Sequence, residues 1–343
     1  MADCCGSEDK TKKDWLWILG LSLSTVSILI AAFDLSLPFK FDEVSQNVVI
    51  LLKEMWIGLL FGVIAIGILD GVPKEFIQKV LYSKTKFGRV FRATLAGLFL
   101  DLCSHGILLV GLKLYKKGIT LGQLMAFLIA SPWNSFSLTL ILFALIGFKW
   151  TLVFIGLSLV VALITGLIFE QFEEKGVVKS NSEKIEPDPS FNFWLEGKKE
   201  LAQVSWSFNT FWIIFVRGLK EGKFVVRWLL LGTILASIIQ TYVPTDMFQD
   251  YFGATLLGLF LTLASATVIE VCSEGSAPIA ADLLNRALAP GNAFTFLMAG
   301  AATDYTEIMG IRETTKSWKV ALLLPILTVP QVLILGHLLN QAS

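Results

Sequence analysis

Two cysteines stand in matching surroundings, one in each half of the chain. Cys103 and Cys272 each begin a C-S-x-G tetrapeptide, and an acid, Asp101 or Glu270, lies two residues before each of them. A thiolate is a good ligand for a soft, thiophilic centre, and a nearby carboxylate can accept the proton that the thiol releases. The pattern favours a paired thiol site for a soft solute. A cysteine with Ser and Gly also suits a tight turn or a close helix contact, so a packing role stays open.

The match between the two cysteine segments extends well beyond the tetrapeptides. A constant shift in residue number aligns residues 103–135 with residues 272–304 without a gap, and it pairs Ser104 with Ser273. An internal repeat that preserves polar residues inside apolar surroundings is typical of a transporter with its site between two related halves. We therefore predict a shared site to which both segments contribute.

Ionisable residues at matched positions are candidates for proton coupling. They pair across the repeat, Asp101 with Glu270 and His105 with Glu274. Charge inside a bilayer is costly, so such residues usually face a cavity or a partner, and an imidazole opposite a carboxylate forms a plausible proton-linked pair. For Asp282 and Glu307 a position at the water interface is an equal alternative. No G-x-x-x-x-G-K-[ST] loop occurs, so we expect an ion gradient or facilitated diffusion instead of direct use of ATP.

The apolar segments that follow the two cysteine motifs are interrupted by polar residues. The first interruption is SPWNS, with Pro132 and Asn134, and the second is GAATDY, with Asp304. A proline removes a backbone donor and opens a helix, and freed backbone groups are a common way to build a solute site. An ordinary proline kink is the alternative. We predict that these three residues join the two cysteines, Ser104 and Ser273 in a substrate site.

The composition indicates that a helical membrane protein positions these residues. Hydrophobic residues make up 55% of the chain and charged residues 16%, and the formal net charge of zero argues against a nucleic-acid partner. Several charge-free apolar runs approach the roughly 20 residues that cross a bilayer as helix. The clearest are Trp15–Phe33, Met55–Leu69, Trp150–Phe169 and Val320–Leu339. The expected fold class is an all-α polytopic membrane protein, with two inverted repeats of broken or re-entrant helices after an N-terminal helix.

The basic residues set the expected orientation, because cytoplasmic loops carry an excess of Lys and Arg. The segment Lys74–Arg92 holds six of them and is expected inside. If Ala93–Leu112 crossed straight through, fewer than half of the 28 basic residues would lie inside. If the chain instead turns back at residues 104–106 and again at 273–278, only four lie outside: Lys40, Lys53, Lys149 and Arg286. We therefore expect inverted halves in a multi-pass protein of the cell inner (plasma) membrane, with a cytoplasmic N-terminus.

Four parts of the chain follow from this arrangement. They are an N-terminal tail with the first transmembrane helix (1–46), repeat 1 (47–171), a cytoplasmic linker (172–224) and repeat 2 (225–343). Within the linker, Trp206–Val216 is apolar and aromatic but too short to span, which indicates an interfacial helix. Adjacent Cys4 and Cys5 would form a strained disulfide, so we interpret them as thiols of a cytosolic tail that could capture a soft metal.

The segment Val271–Pro325, with its string TDYTEIMG, resembles the predicted-permease family that includes the organoarsenical efflux permeases (ArsP type). The first-half segment CSHG…KKGITLGQLMAFLIASPWNS resembles the partner motif, so the resemblance covers most of both repeats. It implies export of trivalent organoarsenicals such as methylarsenite, and relatives are linked to soft or transition metals. Many relatives carry a second cysteine at the position of His105. A methylarsenic centre needs only two thiolates, which Cys103 and Cys272 could supply.

The leading hypothesis is a permease, not an enzyme, that exports methylarsenite-like solutes by proton antiport without a cofactor. Its partners are then a small-molecule substrate and the lipid bilayer, and the sequence leaves the oligomeric state open. Efflux of a soft or transition metal ion is an alternative. A membrane thiol oxidoreductase would be expected to use a C-x-x-C pair, which is absent. An intramembrane hydrolase built on Ser104 and His105 is disfavoured because sequence neighbours seldom face each other.

Overall fold

The computed structural model describes residues 15–33, 38–71, 80–100, 104–130, 136–182, 208–242, 251–269 and 273–342. Within these ranges the regular elements are helical, and no strand occurs among them. The predicted all-α class is therefore confirmed for the described part of the chain.

Twelve α-helices follow one another along the described ranges. They are α1 (Trp15–Ala32), α2 (Phe41–Gly71), α3 (Lys86–Phe99), α4 (Ser104–Lys116), α5 (Leu121–Ile129), α6 (Phe136–Glu174), α7 (Phe208–Tyr242), α8 (Leu256–Ile269), α9 (Ser273–Asn285), α10 (Pro290–Thr303), α11 (Tyr305–Thr315) and α12 (Trp318–Gln341). A short 3-10 turn, Pro38–Lys40, precedes α2. At about 1.5 Å per residue, α2 and α7 are about 46 and about 52 Å long, and they are therefore longer than a hydrocarbon core is thick.

Two of the described helices are long and apolar enough to cross a membrane, by length and composition. They cover Leu142–Glu174 in α6 and Trp318–Gln341, and they contain the predicted spans Trp150–Phe169 and Val320–Leu339. The outward side chains of α12 are apolar, and Ile326 and Ile334 are each 61% exposed. Apolar residues on the outside of a helix suit contact with lipid, as expected for a membrane protein.

The lengths and starting points of the helices recur along the chain. α3 and α8 have 14 residues each, and their starting points are one position further apart than the two cysteines. Their preceding threonines, Thr85 and Thr255, each accept a hydrogen bond from the N–H three residues later, at 3.1 and 3.0 Å.

The later helices of the two halves keep the spacing of the cysteines. α4 and α9 have 13 residues each. The pairs α4/α9, α5/α10 and α6/α11 all begin at the same separation in residue number as Cys103 and Cys272. Each half also has a residue with positive φ at the equivalent position: Gly147 (φ 80°) inside α6 and Lys316 (φ 56°) between α11 and α12. The sequence repeat is therefore accompanied by equivalent helix starts, and by equal lengths in the pairs α3/α8 and α4/α9, whereas α5 has 9 residues and α10 has 14.

The start of α3 lies beside the end of α6. Lys86 pairs with Glu174 at 2.5 Å, and Arg89 pairs with Glu170 at 2.7 Å. The carboxylate of Glu170 also accepts a hydrogen bond from the hydroxyl of Thr120, the residue that caps α5. We call this region, where α3 begins, α5 begins and α6 ends, the charged end.

The end of α4 lies at the charged end as well. The side-chain amide of Asn181, just after α6, donates to the carbonyl oxygens of Tyr115 and Ile119 at 2.7 and 2.8 Å. The backbone N–H of Leu121 donates to Glu173 at 3.1 Å. α3 therefore leaves the charged end and α4 returns to it, so the two helices form a hairpin that does not pass straight through the bundle.

A second region repeats this arrangement with neutral groups. The side-chain amide of Asn292 in α10 donates to the carbonyl oxygens of Phe252 and Gly253, just before α8, at 2.9 and 3.0 Å. Asn340, near the end of α12, accepts from the N–H of Gly291 at 2.7 Å and donates to Asn292 at 2.8 Å. The starts of α8 and α10 and the end of α12 thus meet at what we call the amide end. α8 leaves it, and α9 returns to it through the loop that joins α9 to α10.

The charged end and the amide end lie at opposite ends of α12. Lys319, in the first turn of α12, donates to the carbonyl oxygen of Val177, just after α6, at 2.6 Å. Asn340 lies in the last turn, and the 24 residues of α12 span about 35 Å. Midway, Gln331 donates to Thr165 of α6 at 3.0 Å. α6 and α12 therefore run antiparallel, and the two hairpins enter the molecule from opposite ends.

α2 and α7 also pack antiparallel, over most of their length. A side chain at Gly67 would overlap the carbonyl oxygen of Ile214, and one at Gly218 would overlap that of Val63, so the two backbones touch. The sequence predicts a separate interfacial helix over Trp206–Val216; in the structure α7 instead runs unbroken from Phe208 through this segment. The backbone of Ile214 lies against Gly67 of α2, which ties this segment into a helix pair, while Phe211, Trp212 and Ile213 stay exposed.

Candidate functional site

The second limb of each hairpin contacts the broken helix of the other half. Leu108 and Leu112 of α4 lie against Gly310 of α11, where an added Cβ would be 3.1 Å from Leu112 and 3.4 Å from Leu108. In the other direction, the amide of Asn285 at the end of α9 donates to the carbonyl oxygen of Leu145 in α6 at 3.0 Å. Each hairpin is therefore seated on the helix that follows the other half's predicted break.

Most of the predicted site residues lie outside the described part of the chain. These are Cys4, Cys5, Asp101, Cys103, Pro132, Asn134, Glu270 and Cys272. Ser104 and Ser273 begin α4 and α9, followed by His105 and Glu274, but the side chains of these four are not described either. In sequence, Cys103 and Cys272 thus fall between the two helices of their hairpins.

Asp304 is the predicted site residue whose side chain the described ranges include. α10 ends at Thr303 and α11 begins at Tyr305, so the predicted interruption at GAATDY is present. The Asp304 carboxylate caps α11 by accepting from the N–H of Thr306 at 2.6 Å. A carboxylate at a helix N-terminus is stabilised by the unpaired N–H groups of the first turn. The break therefore holds a carboxylate beside backbone donors.

Two threonines near this break were not found by sequence reasoning. Thr267, at the end of α8, and Thr303, at the end of α10, place their hydroxyl oxygens 2.8 Å apart. Each hydroxyl also lies within hydrogen-bond distance of a carbonyl four residues earlier, at 2.9 and 2.7 Å. Two hydroxyl protons cannot serve three contacts at once, so this pair can rearrange its donors. The available signal was that Thr303 is the repeat counterpart of Asn134 and that Thr267 lies one helical turn before Glu270.

Two acids whose position the sequence left open, Asp282 and Glu307, differ in their exposure in the structure. Asp282 is exposed and pairs with Arg286 at 3.2 Å. Glu307, in the first turn of α11, is only 2% exposed, and its neighbour Thr306 is 1% exposed. Among the described residues, no group of three or more His, Cys, Asp or Glu side chains could hold a metal ion.

Comparison with known proteins identifies a family and several relatives that this chain resembles. Residues 40–341 match a family described as predicted permease. The UPF0718 protein YcgR of Bacillus subtilis is 26% identical over 285 residues, which cover 82% of this chain and 91% of that protein. A Streptococcus mutans protein named "Putative two-component membrane permease complex subunit" is 23% identical over 263 residues, 76% of this chain and 82% of that protein. No solved structure matches.

The family match begins at the start of α2 and ends at the end of α12, so it includes both hairpins, both ends and the break at Asp304. It leaves out α1. The chain therefore belongs to the predicted permease family of the ArsP type, as its two cysteine segments indicated.

Proposed function

We propose that this permease exports trivalent organoarsenicals such as methylarsenite from the cytoplasm across the cell inner (plasma) membrane, by proton antiport. The observation that carries the proposal is the reciprocal packing of the hairpins. α4 lies on α11 and α9 lies on α6, and each hairpin connection holds one C-S-x-G cysteine. Two such connections, inserted from opposite ends, supply two thiols to a site between the halves.

Inverted repeats are part of the proposal, with halves at about 47–171 and 225–343 and with α7 extending the second half back to Phe208. The recurring helix lengths support a repeat, and the antiparallel packing of α2 on α7 and of α6 on α12 supports its inversion. The orientation follows from charge. The charged end contains Lys86 and Arg89 and lies next to the Lys113–Lys117 stretch, so we place it, and the N-terminus, on the cytoplasmic side.

The proposed chemistry is thiol exchange at arsenic. Methylarsenite, CH3As(OH)2, reacts with the thiols of Cys103 and Cys272 to give a dithiolate and two water molecules, and hydrolysis on the other side returns both thiols. The paired acids Asp101 and Glu270, with His105 and Glu274, relay the thiol protons to the departing hydroxyl groups and back, and they bind separately the proton that is exchanged for the solute. Ser104, Ser273 and the breaks at Pro132, Asn134 and Asp304 hold the polar side of the solute.

Methylarsenite uptake into everted membrane vesicles tests the proposal. We expect accumulation that requires a pH gradient and that falls at least about tenfold in Cys103→Ser and in Cys272→Ser, since a hydroxyl is a poor ligand for a soft centre. The double variant Cys4→Ser, Cys5→Ser is the matched control and should transport almost normally. Normal transport by Cys103→Ser with Cys272→Ser at equal expression would assign both thiols to packing. Transport of a soft metal cation in place of methylarsenite would move the protein to metal efflux.

Cysteine labelling tests the orientation. In a Cys4→Ser, Cys5→Ser background, Lys117→Cys should resist an impermeant maleimide in intact cells, whereas Arg286→Cys should react. Rapid labelling of Lys117→Cys from outside would reverse the orientation or open the hairpin. The name of the S. mutans relative adds one check, because a second chain that co-purifies with this protein would extend the proposal to a permease complex.

A further inference from the structure

We propose that Glu307 is the proton-transfer residue on the cytoplasmic side of the second helix break. This inference rests on the proposed antiport and adds to it a carboxyl group that lies outside the repeat-matched acids. The proton resides on Glu307 and leaves to water at the charged end.

The burial of α11 is the first observation. One face of this helix is buried and carries Thr306, Glu307, Gly310 and Ile311, while Arg312 on the other face is exposed. Glu307 is 2% exposed, and the hydroxyl of Thr306 has no hydrogen-bond partner among the described residues. Two polar side chains thus point into the protein one turn beyond the break, where a purely structural helix would place apolar residues.

The position of Glu307 along α11 is the second observation. It lies three residues, or about 4.5 Å of helix, beyond Asp304 and nine residues, about 13 Å, before Lys316, which precedes α12 at the charged end. The same face of α11, at Gly310, touches Leu108 and Leu112 of α4, the helix that begins just after Cys103. Glu307 therefore lies between the break and the charged end, on the surface shared with the first hairpin.

The two halves differ at this position. The repeat counterpart of Glu307 is Leu138, near the start of α6. The residues that follow the first break lead toward the amide end, where Asn285 meets Leu145, and those that follow the second break lead toward the charged end. A carboxyl group is thus present on the route to one end and replaced by leucine on the route to the other.

The surroundings of Glu307 favour a group that changes charge. On the helices that pack against α11, the charged side chains that the structure describes near its end of the molecule are basic: Lys113 and Lys116 on α4, Arg217 and Lys220 on α7, and Lys319 on α12; Lys113 is the buried one among these five. α10 carries no charged residue, α12 also holds His337 in its far half, and α11 itself holds Arg312 and Glu313. Burial makes a carboxylate costlier than a neutral carboxylic acid, and nearby basic groups offset part of that cost. Release of the proton is therefore tied to the state in which water from the charged end reaches Glu307.

Glu307→Gln, with Glu313→Gln as a matched control on the same helix, tests this role in everted vesicles. Two quantities are measured for methylarsenite: exchange between equal concentrations without a pH gradient, and accumulation under a gradient of one pH unit. For Glu307→Gln we expect exchange within about twofold of the parent and a loss of about tenfold in accumulation, since one pH unit drives tenfold per proton. Glu313→Gln should match the parent in both. Glu307→Asp, which keeps a titrating group, should recover part of the accumulation.

The outcomes separate this inference from the proposed function. If the parent protein neither exchanges nor accumulates methylarsenite, the proposed function fails, and the inference fails with it. If the parent accumulates methylarsenite and Glu307→Gln does so equally well, only the role of Glu307 is overturned. Loss of exchange as well as accumulation in both Glu307→Gln and Glu307→Asp would also overturn it, because it would make Glu307 a structural residue.

Discussion

The charged end and the amide end hold corresponding helices together with different chemistry. Gln123 and Asn292, which are counterparts in the repeat, both donate a side-chain amide to a carbonyl oxygen just before the first hairpin limb, at 2.8 and 2.9 Å. At the amide end the next partner is the neutral Asn340. At the charged end it is Thr120, whose N–H donates to Gln123 and whose hydroxyl donates to Glu170, the ion-pair partner of Arg89. The amide-to-carbonyl bond is therefore shared by both halves, and the ion pair is added to one.

The comparison indicates that the helix positions at an end of the molecule do not depend on the charge of that end. Positioning the start of a hairpin requires a donor for free carbonyl groups, and a neutral amide suffices for that. A buried ion pair is costly to assemble, so its presence alone is weak evidence for stability. Loss of one partner is nevertheless strongly destabilising, because the other charge stays buried without compensation. Its presence at one end fits the cytoplasmic excess of basic residues in our proposal.

Loss of the buried ion pair should have the largest effect on stability. Glu170→Ala leaves the charge of Arg89 without its partner and removes the acceptor of the Thr120 hydroxyl, so we expect a loss of about 3–5 kcal/mol. Thermal or denaturant unfolding of the detergent-purified protein measures it. The double variant Glu170→Met, Arg89→Met should recover much of the loss. A single-variant loss under about 1 kcal/mol would show that this pair does not hold the charged end.

Glycines at the two helix crossings should respond unequally to an added methyl group. At Gly122 an added Cβ would lie 2.5 Å from the carbonyl oxygen of Gly166, whereas at Gly291 it would overlap the carbonyl oxygen of Gly336 still more closely. We expect Gly291→Ala to cost about 2–3 kcal/mol and Gly122→Ala about 1–2 kcal/mol, as overpacking does. The same unfolding assay compares them, and the reverse order would contradict the tighter crossing at the amide end.

Removal of the neutral amide should cost less than removal of the buried carboxylate. Asn340→Ala deprives the N–H of Gly291 and the side chain of Asn292 of a partner, but it leaves no uncompensated charge. We expect a loss of about 1–2 kcal/mol, the usual penalty for unsatisfied neutral groups. A loss as large as that of Glu170→Ala would mean that the two ends are held equally tightly despite their chemistry.

The exposed ion pair at the charged end should matter least. Lys86 and Glu174 are about half exposed, with side-chain exposures of 45% and 52%. Exposed pairs contribute about 0–1 kcal/mol, and roughly 1 M salt reduces the screening length to about 3 Å. Lys86→Ala should therefore change stability by less than about 1 kcal/mol, and the change should disappear at that salt concentration. A large, salt-independent effect would place Lys86 in the buried network with Glu170.

Much of the architecture was predictable because it follows from the lengths of the apolar segments, the distribution of basic residues and the internal sequence repeat. Long apolar runs predicted the helices, and the basic residues around Lys86 and Lys116 predicted that the first hairpin turns back, as the contacts at the charged end show. The polar string around Asp304 predicted a break, which is present. These features depend on local composition, which a single sequence displays.

Features that depend on partners distant in sequence were not predictable in this way. The continuity of α7 depends on the backbone contact at Gly67 and Gly218, whereas its own charged residues suggested a division. The hydroxyl pair of Thr267 and Thr303 links residues on two helices. The burial of Glu307 comes from the packing of α11 against other helices, whereas its sequence position is equally suited to an interface.

The two hairpins differ in the number of residues that join their helices. Four residues lie between α3 and α4, whereas three lie between α8 and α9. One residue in a helix corresponds to about 100° of rotation, so an alignment anchored on the cysteines pairs the entering limbs incorrectly. By helix register, the counterpart of Thr267 is Gly97, and its missing side chain lets α3 touch the backbone of Phe127. Chimeras that exchange limbs between the two hairpins must therefore be joined inside these connections and not at positions paired by the cysteines.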